Sequence, residues 1–388
     1  MTPTRVLFVS HSYPRADGDI AGSFVHRLAV SLTARGDIVR VLAPATAGLE
    51  PTSVLDGIRV DRYGYAPAAW QTLAYEGNMA QQVNGSWRGK AAFGGLLLGG
   101  ALAVRRTVAS WRPDIVHAHW WLPGALQSAW SIGRTPLMTT LHGSDIRLAI
   151  GVPRAHGAFR AVMRRSQRVT AVSRWLRDEA LAMAPGTNID VEPMPVDITL
   201  FTPSTGSKEN KLLFVGRLNA QKGAGLLLEA LAASGSNCAL DVIGEGDDRA
   251  ALAARAATLG LASRVTFHGA LAQSQVVPFY QRARAVVVPS QQEGLGLVAV
   301  ESQLCETPVI AFRSGGLTDV VIDGDTGYLV PSGDVRAMSL AIDAVDTNPS
   351  NALARGRVGR ARMLLEFNPA SVAENYHRLY QDALRATP

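Results

Sequence analysis

Two glutamates stand at the ends of a short apolar stretch in the second half of the chain. The stretch, QQEGLGLVAVESQ, covers residues 291–303 and contains Glu293 and Glu301. A valine-rich strand is predicted to end at about Val288, and a helix to begin near Gly296. Glu293 then lies in a loop, whereas Glu301 lies more than one turn inside the helix. The two carboxylates are therefore not predicted to form an acid–base pair on one helix face.

The residues between and at these positions could hold a phosphorylated sugar. The predicted helix N-terminus offers the backbone amides of Gly294, Leu295, Gly296 and Leu297. Such amides, with the helix dipole, favour an anion such as a phosphate. The Glu301 carboxylate could accept hydrogen bonds from two adjacent sugar hydroxyls. The alternative is purely structural, with Glu293 as a helix-terminal charge and Glu301 on a solvated face.

A second loop, GRLNAQKG at 216–223, carries two cations. Gly216 ends a predicted strand and would let a ligand approach the backbone. Arg217 and Lys222 lie beside a helix predicted to start near Lys222. A diphosphate needs such charges, because arginine offers a fork of donors and lysine a point charge. Ordinary surface charge after a strand is the alternative.

The loop after the first strand, residues 10–23, lacks the G-x-G-x-x-G pattern of dinucleotide-binding folds. A dehydrogenase is therefore disfavoured. Gly22 instead stands where a helix would begin, and free N–H groups there favour an anion. A simple helix-start role for Gly22 is equally compatible.

Composition limits the class of protein. Of 388 residues, 47% are hydrophobic and 18% charged, and the net charge is +6. The basic residues are scattered, so anionic small molecules fit better than nucleic acid. Two cysteines cannot build a disulfide framework, which favours the cytoplasm. The apolar run 91–104 has 14 residues, fewer than the roughly 20 of a membrane span, and predicts a buried helix, with contact at the inner membrane face as the alternative.

The order of elements predicts an α/β fold with two Rossmann-like, doubly wound domains. Strand-like and helix-like segments alternate in both halves. The predicted parts are an N-terminal domain 1–191, a linker 192–210, a C-terminal domain 211–367, and a last helix 368–388 that could pack back on the first domain. Ligands of such sheets bind at the carboxyl ends of the strands, so the loops above are in suitable positions.

Further polar residues of the first half have structural and functional interpretations. His117 and His119 alternate on a strand without the carboxylate or cysteine support of a metal site, so packing is predicted for His117 and a role in a cleft for His119. Asp145 is predicted to be the N-cap of the next helix rather than a partner that orients the loop before it.

The connection 64–93 is long for a loop and mixes aromatic and basic residues, which indicates a functional loop. It could bind an acceptor or lie at a membrane surface, and plain packing is as plausible for each side chain. Candidate acceptor contacts in the first half are His119, Trp120, Tyr75, Asn78 and Asp145.

The motifs taken together resemble those of one enzyme family. GRLNAQKG followed by EGLGLVAVE is similar to the paired signature of the retaining glycosyltransferases of family 4, whose E-x7-E motif matches Glu293 to Glu301. SGGLTDVV at 314–321 resembles their glycine-rich turn, LHGSD at 141–145 their active-site loop, and residues 21–44 their first helix and second strand. The resemblance spans essentially the whole chain and implies the GT-B fold, with two domains facing across a cleft.

The resemblance also implies roles for individual residues. Arg217 and Lys222 would bind the donor diphosphate, Glu301 the ribose, and Glu293 with the amides of 294–297 the transferred sugar. His142 would lie beside the anomeric centre. Gly22 would approach the donor from the first domain, and the base pocket would be lined by Gly244 in GEG (244–246) and His268 in FHG (267–269). Leu295 and Asp319 depart from the phenylalanine and glutamate usual in the family.

The implied reaction moves a sugar from a nucleoside-diphosphate sugar, most simply a UDP- or GDP-sugar, to a sugar or lipid-linked acceptor. No cofactor and no metal are expected. Two alternatives stay open: a nucleotide-sugar epimerase or hydrolase of the same fold, and a nucleotide- or sugar-binding protein without catalysis.

Overall fold

The chain forms two compact units. The computed structural model describes residues 3–75 and 79–386. Unit 1 comprises Met1–Pro195 together with Pro369–Pro388, and unit 2 comprises Val196–Asn368. Asn78, one of the candidate acceptor contacts, lies outside the described residues.

Unit 1 is built on one eight-stranded sheet. The strands are β1 (Arg5–Val9), β2 (Ile38–Pro44), β3 (Thr52–Leu55), β4 (Ile58–Tyr63), β5 (Ile115–His119), β6 (Leu137–Leu141), β7 (Arg168–Ala171) and β8 (Ile189–Val191). They are ordered β3-β4-β2-β1-β5-β6-β7-β8, and only β3, paired with β4, runs antiparallel. The edge strands β3 and β8 have only four and three residues and show no clear apolar run, which is why the sequence does not predict them.

Helices cover this sheet. They are α1 (Ser23–Arg35), α2 (Met79–Gly85), α3 (Trp87–Trp111), α4 (Leu126–Ala129), α5 (Ser144–Gly151), α6 (His156–Arg165), α7 (Arg174–Met183) and α15 (Pro369–Arg385). The C-terminal helix α15 belongs to unit 1, where it packs against α1. Its buried His377 lies 3.0 Å from the Asp37 carboxylate. Tyr376 and Tyr380 are also buried, so α15 contributes to the core of this unit.

Two predictions for the segment before β5 are wrong. The run 91–104 is the middle of the 25-residue helix α3, and Leu98 and Leu102 are exposed. The connection 64–93 is not one long loop, because it contains a 3₁₀ turn, α2 and the start of α3. Among the described residues, α3 is the one helix long and apolar enough to cross a membrane, by length and composition alone, and 28% of its apolar window is buried.

Unit 2 has a six-stranded parallel sheet. Its strands are β9 (Lys211–Val215), β10 (Ala239–Ile243), β11 (Val265–Gly269), β12 (Ala285–Val288), β13 (Val309–Phe312) and β14 (Gly327–Val330). The order β11-β10-β9-β12-β13-β14 reverses direction at β9, as in doubly wound nucleotide-binding sheets. The space beyond the carboxyl ends of β9 and β12 is therefore the expected ligand position.

The helices of unit 2 are α8 (Ala224–Ala233), α9 (Arg249–Thr258), α10 (Gln273–Arg282), α11 (Leu297–Leu304), α12 (Leu317–Val320), α13 (Val335–Thr347) and α14 (Pro349–Glu366). The core between helices and sheet includes Leu212, Phe214, Val287 and Phe312, all buried. The predicted α/β fold class is confirmed for both units. One boundary differs, since Lys222 ends a short 3₁₀ turn and α8 begins at Ala224.

Candidate active site

The loops after the strands of unit 2 lie side by side at one edge of its sheet. The Gly216 N–H donates to the Ile243 carbonyl at 3.0 Å, and the Gly244 N–H donates to the Gly269 carbonyl at 2.8 Å. On the other side of β9, the Gln291 N–H donates to the Gln221 carbonyl at 2.8 Å. The structure therefore brings the loops after β9, β10, β11 and β12 together.

Glycines set how closely these loops approach. Gly244 has φ 136°, and a Cβ built there would lie 1.9 Å from the Gly216 oxygen. Gly223 has φ 72°, and a Cβ built there would lie 2.1 Å from the Pro289 oxygen. A side chain at either position is excluded by the neighbouring backbone and strained by the positive φ.

Lys222 and Glu293 form an ion pair between the loops after β9 and β12. The Lys222 ammonium lies 2.6 Å from Oε2 of Glu293, and both side chains are partly buried. Arg217 is exposed in the same loop as Lys222. The structure thus places a cation paired with a carboxylate, and a second, exposed cation, at one sheet edge.

The helix N-terminus predicted between the glutamates is present. Helix α11 begins at Leu297 after Gly296, which has φ 93°. Gly294 and Leu295 are buried below it. The loop after β13 supports this turn, since the Gly316 N–H donates to the Glu293 carbonyl at 2.9 Å. The backbone before α11 is held against the glycine-rich loop after β13, and the helix dipole is directed at it.

Glu301 lies inside α11 and is oriented by two side chains of α10. Its Oε1 accepts from the Gln273 amide at 2.9 Å, and its Oε2 accepts from the Tyr280 hydroxyl at 2.8 Å. Burial and then the charge of Glu301 raise the pKa of Tyr280 well above its usual value, so the phenol stays a donor. The sequence gives no motif for Gln273 or Tyr280, because both belong to an ordinary amphipathic helix.

His268 lies at the end of β11, beside the loop that contains Gly244. Its Nε2 is 2.7 Å from the Asp241 Oδ1, and its ring packs edge-on against Phe279 at 4.7 Å. Lys211 lies 3.6 Å from the same aspartate. Asp241 therefore fixes the orientation of the imidazole, a contact that spacing in the sequence does not reveal.

In unit 1, His142 follows β6 and belongs to a cluster with four other aromatic side chains. The ring centroid of Trp120 lies 4.4 Å from that of His142, and Phe24 lies at 5.2 Å. His11 lies 4.4 Å from Trp120, and His119 Nδ1 lies 3.0 Å from His142 Nε2. The predicted residues His119, Trp120 and His142 are thus brought together.

Burial keeps these imidazoles neutral. It lowers the pKa of His119 and His142 well below the usual value, and it lowers the pKa of His11 to about 4. The neighbouring His117 lowers the pKa of His119 further, and His119 and His11 lower the pKa of His142 further. In the described part of the chain, His11 Nδ1 and His119 Nε2 are buried without a hydrogen-bond partner. Such atoms are costly unless another group supplies the bond.

Asp145 is not the N-cap of α5, contrary to the prediction. Gly143 occupies the cap, and Asp145 lies in the first turn. Its carboxylate accepts backbone N–H bonds from His142 at 3.1 Å, Gly143 at 2.9 Å and Trp121 at 3.1 Å. Burial raises the pKa of Asp145, and these N–H donors oppose that rise. Asp145 therefore orients the loop that carries His142, because its carboxylate accepts hydrogen bonds from the backbone of that loop.

Other predicted residues of unit 1 have structural contacts. His117 is buried, with its two nitrogens bonded to Tyr380 at 2.8 Å and Thr140 at 2.7 Å, so its predicted packing role is confirmed. Tyr75 binds Arg62 and the Pro44 carbonyl, and none of its contacts in the described ranges reaches the group around His142. Gly22 caps α1 with φ 67°, pressed against Ser12.

Comparisons with known proteins agree with this architecture. Residues 21–200 match the family described as Glycosyltransferase Family 4, and residues 199–362 match Glycosyl transferases group 1. The chain is 31% identical to D-inositol 3-phosphate glycosyltransferase of Mycobacterium sp. (strain KMS), over 92% of this chain and 86% of the relative. It is 29% identical to glycogen synthase of Mycobacterium tuberculosis, over 98% and 95% of the two chains.

Solved structures share the fold. Sucrose-phosphate synthase from Thermosynechococcus elongatus superposes with a TM-score of 0.80 at 21% identity, covering 98% of this chain and all of that one. HepE of Anabaena, solved with UDP-glucose, gives a TM-score of 0.71 at 18% identity over 97% and 99% of the two chains. The matches extend over both units, and the chain belongs to the family 4 glycosyltransferases of GT-B fold.

Proposed function

We propose that the protein is a retaining glycosyltransferase that uses a nucleoside-diphosphate sugar, a UDP- or GDP-sugar, and transfers its sugar to a sugar or lipid-linked acceptor. The observation that carries the proposal is the Lys222–Glu293 ion pair at the N-terminus of α11, with Glu301 farther along the same helix. One cation, one helix terminus and two oriented carboxylates match the parts of such a donor.

The diphosphate is assigned to Lys222, Arg217 and the amides at the start of α11. An ammonium has three N–H donors, so its bond to Glu293 leaves capacity for phosphate oxygens. Negative charge develops on the diphosphate as the sugar–oxygen bond breaks. Cations and helix-terminal amides held in place before the reaction stabilise that charge most effectively.

The two carboxylates are assigned to hydroxyl groups. Glu301 is held by Tyr280 and Gln273, and each carboxylate oxygen can accept a further bond, which suits the two hydroxyls of a ribose. Glu293 is assigned to the transferred sugar, with Lys222 fixing its direction. The base is assigned to the loops that contain Gly244 and His268.

The residues around His142 are assigned to sugar binding in unit 1. Neutral imidazoles can donate and accept hydrogen bonds without placing a full charge near a developing cationic sugar. The buried, unpaired nitrogens of His119 and His11 favour a polar ligand at this edge of the sheet. Trp120 and Phe24 provide apolar surface for the face of a sugar ring.

The transfer is proposed to retain the anomeric configuration of the sugar without a strong base from the protein. The departing phosphate oxygen would take the proton of the acceptor hydroxyl on the same face, and the new bond would form on the side that the diphosphate leaves. Neither a metal nor another cofactor is part of this proposal, since Lys222 and Arg217 supply the positive charge.

The relatives favour a nucleotide-sugar donor. HepE was solved with UDP and with UDP-glucose, and the mycobacterial relatives are a glycogen synthase and an inositol-phosphate glycosyltransferase. The names of the two mycobacterial relatives indicate different acceptors, so these relatives do not select one acceptor class for this chain. The buried thiols of Cys238 and Cys305 suit a reducing cytoplasm, the proposed location.

Product analysis tests the proposal. The protein is incubated with UDP- and GDP-sugars, with and without a panel of sugar acceptors, and the anomeric protons are followed by NMR. The expected result is an acceptor-dependent glycoside with the anomeric configuration of the donor. An inverted product refutes retention. Donor turnover independent of every acceptor supports the hydrolase or epimerase, and binding without any turnover supports the non-catalytic alternative.

A further inference from the structure

Helix α3 exposes an apolar face to solvent. Trp87, Leu98 and Leu102 are 67%, 71% and 54% exposed. The helical period places them on one side of α3, together with the exposed Ala91 and Gly94. A large apolar surface of this kind on a folded unit indicates a contact with another molecule or a membrane.

Cations flank this face without any acidic residue. Arg88 and Lys90 are exposed at the beginning of α3, and Arg105 and Arg106 are exposed near its end. The sequence contains no aspartate or glutamate between residues 79 and 113. An apolar strip between two basic ends is complementary to a bilayer with anionic headgroups, where each cation contributes through the negative surface potential.

The N-terminal end of the face carries an aromatic–arginine cluster. The Trp70 and Trp87 rings meet edge to face at 5.3 Å, and the Arg88 guanidinium lies 5.6 Å and 5.8 Å from their centroids. Tryptophan and arginine both have an apolar body with a polar end, and such side chains favour the depth of lipid headgroups.

The opposite face ties α3 to unit 1. A Cβ on Gly95 would lie 2.0 Å from the Tyr65 carbonyl, and one on Gly100 would lie 2.4 Å from Gln127. Leu96 and Val104 are buried on this side. A helix packed this closely against its own unit cannot be surrounded by lipid, so the length and composition of α3 do not make it a membrane span.

We propose that the α3 face, defined by Trp87, Leu98, Leu102 and Arg105, docks the protein on the surface of an anionic lipid bilayer. The helix lies in the plane of the surface, with its apolar side chains among the acyl-chain ends and its cations among the headgroups. This inference rests on α3 alone and does not depend on the proposed transferase chemistry.

Vesicle binding tests it. The full-length protein is sedimented with vesicles of phosphatidylcholine and phosphatidylglycerol in equal amounts, and with vesicles of phosphatidylcholine alone. We expect binding to the anionic vesicles that weakens as salt is added. All seven tryptophans lie in unit 1, and the emission of the exposed Trp87 should shift to shorter wavelength on binding.

Two double variants separate the charge from the apolar surface. Arg105→Gln with Arg106→Gln should lower partitioning to anionic vesicles on the order of 20-fold, at about fivefold for each cation. Leu98→Gln with Leu102→Gln should lower it at least about tenfold and should also reduce the emission shift. The four side chains are exposed, so these changes are expected to leave the fold and the turnover of a soluble acceptor unaltered.

Leu365→Gln is the matched control, because Leu365 is 77% exposed on α14 of unit 2. It should bind vesicles as the native protein does. The proposal is overturned if the native protein ignores anionic vesicles, or if Leu98→Gln with Leu102→Gln binds them normally. A third result would also overturn it: the native protein self-associates in light scattering but does not bind vesicles, and Leu98→Gln with Leu102→Gln abolishes the self-association. The α3 face would then join two copies of the chain.

Discussion

At the scale of single residues, the candidate donor site depends on which atoms hold its charged groups in place. Lys222 is paired with Glu293, and Glu301 is held by Gln273 and Tyr280. The identity and spacing of the charged residues could be predicted from the sequence, since they form motifs. The residues that orient them could not, because Gln273 and Tyr280 lie 21 to 28 positions away on another helix.

Tyr280→Phe tests whether this orientation matters. The variant removes the hydroxyl that donates to Glu301 and keeps the buried ring. We expect nucleoside diphosphate to bind roughly three- to tenfold more weakly, the effect of one hydrogen bond to a charged group that is partly replaced by water. Isothermal titration calorimetry measures it.

Tyr328→Phe is the control, because Tyr328 lies on β14 and contacts Arg355. An unchanged affinity in Tyr280→Phe would show that Glu301 does not need its partner, or does not bind the nucleotide.

The buried histidines of unit 1 should make its stability depend on pH. Burial, and secondarily His142, lowers the pKa of His117 well below 6.5. The unfolded chain therefore binds more protons than the folded chain below about pH 6.5. Above that pH, these imidazoles should not change the free energy of unfolding. On acidification below it, the free energy of unfolding should decrease by about 1.4 kcal/mol per pH unit for each such imidazole.

His117→Gln should reduce that dependence by the share of one imidazole, whatever its effect on absolute stability. Urea unfolding followed by tryptophan fluorescence reports on unit 1 alone, since all seven tryptophans lie there. A native protein whose stability does not change between about pH 6.5 and pH 5 would contradict the assignment of neutral, buried imidazoles.

At the scale of elements, the strands and their following loops could be predicted well, and the surroundings of those loops less so. Apolar runs and glycines indicate where a strand ends, and α11 begins at the residue after Gly296, as expected. The prediction for Asp145 is wrong because an aspartate near the start of a helix can accept hydrogen bonds either from the first turn of that helix or from the loop before it. The exposure of α3 depends on which elements pack beside it, and the composition of α3 does not indicate those elements.

Gly223→Ala tests the turn between β9 and α8. A Cβ there meets the Pro289 carbonyl and requires a strained positive φ, so the turn that carries Lys222 must shift. We expect a loss of stability of at least about 2 kcal/mol and weaker nucleotide binding. Calorimetric unfolding and titration measure the two effects.

Gly225→Ala is the matched control two residues later. Its Cβ would meet only Leu252 at 3.8 Å inside α8. Helix propensity predicts a gain of up to about 1 kcal/mol and native binding. Equal behaviour of the two variants would refute the argument that backbone contact at Gly223 sets the position of Lys222.

At the scale of the whole molecule, two sheets in separate units carry the two groups of candidate site residues. The order of strands in unit 2 reverses at β9, beside the charged loops, and the histidine cluster of unit 1 follows β5 and β6. The α/β class and the family could be predicted from the order of motifs along the chain. The donor base, the sugar and the acceptor could not, because they depend on the shape of loops that share no motif.

The most direct test of the central claim is a titration of UDP, GDP and ADP into the native protein and into Lys222→Ala. The account predicts that UDP or GDP binds the native protein and that Lys222→Ala weakens this binding at least about tenfold, as expected for loss of a charge-assisted contact with the diphosphate. If no nucleoside diphosphate binds the native protein, or if Lys222→Ala binds it equally well, the donor site assigned to unit 2 is wrong.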